Sequence, residues 1–386
     1  MARVSVELPV LRWAIERAGL TPPMLERRFP KIHQWIDGEH LPTLKQLEQF
    51  SNATRTPLGF FFLDTPPEER LPIPFFRTID DGQEALSRPS PDLLETIHAM
   101  QRRQFWLREY LIDMGHEPLP FVGSANTDSP PTEIASRIRH TFNLGEDWAG
   151  EFSTWEEALD AFRAAIEKAG ILVVFNGVVG NNNSRALNTH EFRGFVLVDD
   201  YAPLLFVNNK DVKAAKMFTL AHELAHVFLG SGAVFDLRDM APADNHLELF
   251  CNQIAAEFLV PERRLREYWP TAIQQAEPFA FIARCFKVSD LVAARRALDL
   301  GLIRRSEFIQ FYNWYLTDDR RKAQKNHGGG NFYSNQNLRI GKRFALIVAQ
   351  AAREGKLSYY EAYQLTGISG VTFDRYIASI EAGPRL

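Results

Sequence analysis

The chain has 386 residues, of which 45% are hydrophobic and 24% charged, and its formal net charge is −4. This is a globular composition with material for two or three domains, which excludes a mostly disordered chain, and so small a charge means any nucleic-acid partner would need a local basic surface. No apolar run approaches the ~18–20 residues of a membrane span, the N-terminus lacks a signal-peptide pattern, and two cysteines, Cys251 and Cys285, are too few for a disulfide framework or four-thiolate metal site, so the expected compartment is cytoplasmic.

Residues 1–63 read as a bundle of short helices. Val10–Arg17 carries Leu11, Trp13 and Ala14, Gly19 stops it, and Pro22-Pro23 starts the next helix; Lys31–Ile36 closes at Asp37-Gly38, and Thr43 caps a fourth helix through Phe50. Short helices joined by tight turns suit a helix-turn-helix. This segment has eight Lys and Arg against six acids, only weak support for DNA. Candidate DNA contacts are Arg27, Arg28, Lys31, His33 and Gln34, with protein docking as the rival use of the same surface.

Pro57–Pro74, with Phe60-Phe61-Phe62-Leu63 at its start, reads as a packed strap. Amphipathic helices are expected over Pro91–Met114 and Pro131–Phe142, with their arginines facing solvent. Thr154 and Glu157 form a capping-box start for a helix to Lys168, and Ile171–Phe175 reads as a buried strand. Phe192–Val198 and Leu204–Val207 suit a hairpin leading into the next helix, and a sheet edge there could hold an extended peptide through main-chain hydrogen bonds.

That helix contains the chemistry. His222-Glu223-Leu224-Ala225-His226 lies within a stretch, Met217 to Leu229, that is otherwise apolar on almost every face. Residues four apart share one side of a helix, so both imidazoles can reach one cation, while Glu223 is turned by about 100° to flank it. Ordinary core histidines are the plain alternative, but burying three polar groups without partners costs ~1–3 kcal/mol each. The H-E-x-x-H spacing is the zincin signature, and zinc takes neutral imidazole nitrogens while keeping a position for water.

A third ligand is expected downstream, where Leu247–Val260 reads as a second apolar helix after the break at Gly230-Ser231-Gly232. Glu248 and Asn252 stand four apart on one face, the first to bind zinc and the second to hold a histidine's free N–H. Asp244, His246 and Glu257 are competitors: Glu257 faces about half a turn away, and Asp244 and His246 fall ahead of the helix. His246 could instead polarise a substrate carbonyl or simply face solvent. Phe279–Phe286 and Ser289–Leu300 read as a helix pair, Asn326–Asn331 as a flexible joint, and the tail as helices near 341–354, 359–365 and 372–380. No P-loop, G-x-S-x-G elbow or fixed-period repeat is present, which sets serine and nucleotide mechanisms aside.

Over roughly residues 155–305 the sequence resembles the ImmA/IrrE family of bacterial zinc metallopeptidases, a gluzincin-like group. The resemblance rests on Glu191-Phe192-Arg193-Gly194-Phe195, Ala202-Pro203 with Val207-Asn208, Phe218 to His226, and Glu248-x-x-Cys251-Asn252 running to Pro261. The first unit is similar to an Xre/Cro-type helix-turn-helix through Leu11–Ala14, Trp35–Gly38 and Pro42–Leu47. These resemblances imply an α+β, predominantly helical architecture: 1–78 helix-turn-helix and strap, 79–150 helical connector, 151–325 zincin-like peptidase domain with a small sheet, and 331–386 helical tail. They also imply a zinc endopeptidase with Zn2+ on His222, His226 and Glu248 and Glu223 as general base. The expected partner is a protein substrate, such as a repressor or toxin-module protein; the rival is a DNA-binding regulator or antitoxin with a secondary or silent site.

Overall fold

The computed structural model describes residues 3–69, 89–231, 233–235, 246–317 and 332–382. Seventeen α-helices and six strands occur among them, an α+β and predominantly helical architecture. The described residues form two compact units, one of residues up to 69 together with 89–98, the other from residue 99 onward.

The first unit contains α1 (Leu8–Arg17), α2 (Pro22–Glu26), α3 (Ile32–Ile36) and α4 (Leu44–Thr54). Val10, Leu11, Ala14, Leu25, Ile32, Trp35 and Leu47 close its core around Phe29, Phe50 and Phe61. Thr43 accepts from the Gln46 amide while Gln46 accepts from the Thr43 amide, so α4 begins in a full capping box. The expected strap is anchored less than its aromatic run suggests. Its residues Leu58–Phe62 form a 3-10 turn in which Phe61 is buried, whereas Phe62 and Leu63 are exposed; residues 70–74 lie outside the described residues.

α5 (Pro91–Asp113) runs from the first unit into the second, where α6 (Pro131–Thr141) and α7 (Trp155–Lys168) follow it. Thr154 and Glu157 make the capping box of α7. The expectation that arginines of α5 and α6 face solvent fails at two positions. Arg103 is buried and donates to the carbonyls of Leu365 and Arg339, at 2.7 Å each. Arg139 is buried and donates to the carbonyls of Glu257 and Phe258. Both guanidiniums satisfy main-chain oxygens of distant segments, so tertiary contact overrides the polar side of the helical pattern.

The second unit is built on a four-stranded sheet ordered β1 (Leu172–Asn176), β5 (Leu204–Asn208), β4 (Gly194–Leu197) and β6 (Ala233–Phe235), with a separate hairpin of β2 (Val178–Val179) and β3 (Asn182–Ala186). β1 pairs parallel to β5 and β4 antiparallel to it, from Gly194 opposite Val207 to Leu197 opposite Leu204. Every residue of β1, β4 and β5 is buried, so these strands read as unbroken apolar runs. Across the sheet, α8 (Lys213–Leu229) packs on β4 and β5 and against α9 (His246–Leu259).

α10 (Glu262–Ala272), α11 (Pro278–Phe286), α12 (Asp290–Asp299) and α13 (Arg305–Thr317) continue the unit, followed by α14 (Phe332–Ile340), α15 (Lys342–Arg353), α16 (Tyr359–Thr366) and α17 (Gly370–Glu381). The joint expected at 326–331 lies outside the described residues. No helix among those described is long and apolar enough to cross a membrane.

Candidate metal centre

α8 is buried on every face from Met217 to Phe228 because it lies between the sheet and α9. It ends at Gly230 in the left-handed conformation, φ 68°, which turns the chain so that Ser231 comes back to the helix. Four polar side chains of this helix, Thr219, His222, Glu223 and His226, have no exposed surface.

α9 brings Glu248 to the histidine pair. His222 Nε2 lies 3.1 Å from Glu248 Oε2, His226 Nε2 lies 3.3 Å from Glu248 Oε1, and the two Nε2 atoms are 3.1 Å apart. On the outer sides of the rings, His222 Nδ1 is 3.0 Å from Asn252 Oδ1 and His226 Nδ1 is 3.2 Å from Ser231 Oγ. In the tautomer that donates outward through both Nδ1–H groups, each Nε2 offers a lone pair to a cation, whereas a ring with its proton on Nε2 donates it to Glu248. Three such atoms this close repel one another unless a proton or a cation lies among them.

The donor set fits zinc. Bonds of about 2.0–2.2 Å in a tetrahedron put ligand atoms about 3.3–3.6 Å apart, close to the spacing found here. Burial holds the His222 imidazole neutral, its pKa lowered to about 4 although Glu248 opposes the shift. Glu248 is buried, which alone would raise its pKa, but hydrogen bonding to His222 and His226 outweighs this and lowers it to about 2. Both are therefore in their ligating forms at neutral pH.

Glu223 stands apart from this triangle. Neither carboxyl oxygen has a hydrogen-bond partner among the described residues, and burial followed by the charge of Glu248 raises its pKa well above the usual carboxylate range. A buried carboxyl that favours its proton beside a cluster that favours a cation is suited to accepting and returning protons. Its seat is set by Gly194 of β4. A Cβ on Gly194 would lie 2.8 Å from Glu223 Oε1 and 2.6 Å from Thr219 Cγ2.

His246 is the first residue of α9 rather than ahead of it, and its side chain is exposed. Glu257 takes no part in the cluster, because it pairs with Arg296 and accepts from the Glu262 amide. Asp244 lies outside the described residues. Ser231 and Gly194 were not singled out by the sequence reading: Ser231 looked like part of a chain break, and Gly194 was only one position in a matched motif.

In the first unit Arg27, Arg28, Lys31, His33 and Gln34 are all exposed. His33 is engaged by Glu26 at 2.7 Å, Lys31 Nζ lies 3.1 Å from His40, and Arg28 lies over the Phe29 ring. α3, which carries His33 and Gln34, has only five residues.

An H-E-x-x-H helix packed on a small sheet, with a glutamate from the following helix closing on its histidines, defines a zincin-like peptidase fold. Residues 166–298 match the family described as the IrrE N-terminal-like domain, peptidase M78, so this segment is similar to the ImmA/IrrE metallopeptidases. Residues 340–379 match a domain of unknown function, DUF8813. No curated protein matches the chain.

Proposed function

We propose that the protein is a zinc-dependent endopeptidase that cleaves a protein partner, with a transcriptional repressor or toxin-module protein as the expected class. The convergence of His222, His226 and Glu248 within 4.8 Å carries this reading. These three side chains would hold Zn2+, while Asn252 and Ser231 fix the rings through their Nδ1 atoms. When bound, zinc supplies Lewis-acid activation of water and polarisation of the scissile carbonyl.

Glu223 accepts the proton of the attacking water and delivers it to the leaving amine. The charge of a bound cation would hold Glu223 ionised, and its burial without a hydrogen-bond partner would then favour uptake of the water's proton. The place of β6 at the end of the sheet order, paired with β4 among the described residues, supports extended binding of the peptide along this edge. His246, at the start of α9, is proposed to stabilise the developing oxyanion.

Peptide turnover by purified wild-type protein and by Glu223→Gln tests the assignment. Zinc should remain bound in the variant while kcat falls by about 10²–10⁴-fold; loss of zinc, or retained turnover, would overturn the role of Glu223.

The exposed Arg27, Arg28, Lys31 and Gln34 favour a second reading, a regulator or antitoxin whose first unit binds DNA. Phosphate contacts would weaken steeply with salt. A gel shift on the gene's own upstream DNA decides it: a salt-sensitive complex supports this reading, and no complex at low salt rejects it.

A further inference from the structure

The sheet ends at β1, and the outer side of that strand meets helices instead of another strand. The Leu172 amide donates to the Pro203 carbonyl and the Asn176 carbonyl accepts from the Asn209 amide, so alternate residues of β1 address β5. Val173 therefore turns its N–H and C=O the other way, where no strand follows among the described residues. The residue is fully buried, and buried main-chain groups need partners. The tail covers this side: α14 packs on β1, and at Gly341, which follows α14, a Cβ would lie 3.7 Å from the Val173 carbonyl oxygen.

A second acceptor faces the same place. Glu167 Oε1 of α7 would lie 3.5 Å from that Cβ, and this buried oxygen has no hydrogen-bond partner among the described residues. Arg163, Lys342 and Arg343 act on the carboxylate by charge, opposed by Asp160, yet none of the three donates to Oε1. Arg343 donates instead to the main-chain oxygen of Glu167, at 3.4 Å. Beside these groups is a cavity of about 10 Å³ bordered by Glu167, Gly170, Leu172, Gly341 and Arg343. A volume of about 10–15 Å³ holds a single water molecule.

The surrounding groups select the occupant. A metal cation would be set among three basic side chains and an anion against a carboxylate, so neither suits the site. Water donates two hydrogens to two acceptors and can accept from Arg343. From the cavity and the two oxygens that face it, we propose that the seam between tail and sheet binds one water molecule, which donates to Glu167 Oε1 and to the Val173 carbonyl. Gly341, with φ 84°, turns the chain from α14 into α15 and leaves this space open. The water joins α7, β1 and the tail, and its site shares no residue with the metal cluster.

A crystal structure of the full wild-type chain, at a resolution that shows ordered water, tests the site directly. One water should lie within about 2.6–3.2 Å of both Glu167 Oε1 and the Val173 oxygen. An empty cavity, an ion there, or a water bound to only one of the two oxygens would overturn the proposal. In solution, Glu167→Gln keeps a side-chain oxygen that can accept from the water, whereas Glu167→Met removes it at similar size. Amide hydrogen exchange in α14 and α15 should keep its wild-type rate in Glu167→Gln and rise about tenfold in Glu167→Met. Loss of charge alone would move both variants alike, so equal acceleration in the two, or none in either, would count against the water. Should Glu167→Met fail to fold, the wild-type crystal structure decides.

Discussion

Gly194 sets how closely the sheet approaches Glu223, the proposed general base. A methyl group there would meet Thr219 Cγ2, Glu223 Oε1 and the Phe206 carbonyl, all inside 3.0 Å, and two of the three belong to rigid surroundings. Gly194→Ala is expected to cost about 1–3 kcal/mol of stability and to displace Glu223, lowering kcat while zinc remains bound. Thermal melts beside turnover and zinc content check this. Asn252→Ala removes the acceptor of His222 Nδ1 and should weaken zinc about 10–100-fold in a competition titration, whereas an unchanged affinity would remove Asn252 from its positioning role.

The same residues give acid sensitivity a definite sign. Burial lowers the folded-state pKa of His222 from 6.5 to about 4, so as pH falls through this interval the unfolded chain takes up a proton that the folded chain refuses. Folded metal-free protein therefore loses stability on acidification from about pH 6.5 toward 4. Glu248 acts in the same direction at lower pH, its stabilisation fading between 4.5 and about 2. In melts across this range, His222→Asn should flatten the upper part of the pH dependence.

Elements with a local signature were legible in the sequence. α8 was visible because three polar residues interrupt an apolar run at helical spacing, and α4 and α7 because their caps announce themselves. β6 was not legible: it has three residues and exists through pairing with β4. α13 was missed although Phe308, Phe311, Tyr312 and Tyr315 share one side at i, i+3, i+4 and i+7, because Ile309, Trp314 and Leu316 blur that face; none of its residues is buried. Arg103 and Arg139 looked solvent-facing because periodicity cannot register carbonyls contributed by distant segments. Ser231 escaped notice for a similar reason, since its contact with His226 depends on the turn at Gly230. Gly230→Ala places a side chain at φ 68° and within 3.1 Å of the Gly123 Cα, so it should cost about 1–2 kcal/mol and also weaken zinc through Ser231. Denaturant unfolding with and without zinc separates the two effects.

At the scale of the whole molecule, the tail is part of the unit that contains the candidate metal centre. Arg103 of α5 donates to carbonyls of Leu365 and Arg339 and lies over the Phe344 ring, and burial lowers its pKa to about 10. Gly341 sits against Leu172 of β1, where a Cβ would meet Leu172 Cδ1 at 3.2 Å. Arg103→Ala leaves two carbonyls without their donor and should cost about 2–4 kcal/mol, seen as faster proteolysis of the tail than in wild type. This integration was beyond sequence patterning, which found three of the four tail helices, α14 being missed, and not what they pack against.

The central claim is that one metal ion is held jointly by His222, His226 and Glu248. Its most direct test is an equilibrium zinc titration of wild type beside Glu248→Ala. The expected result is one tightly bound zinc per wild-type chain and an affinity at least 100-fold weaker in the variant. A wild-type chain that binds no zinc, or a Glu248→Ala chain that binds it equally well, would contradict the account.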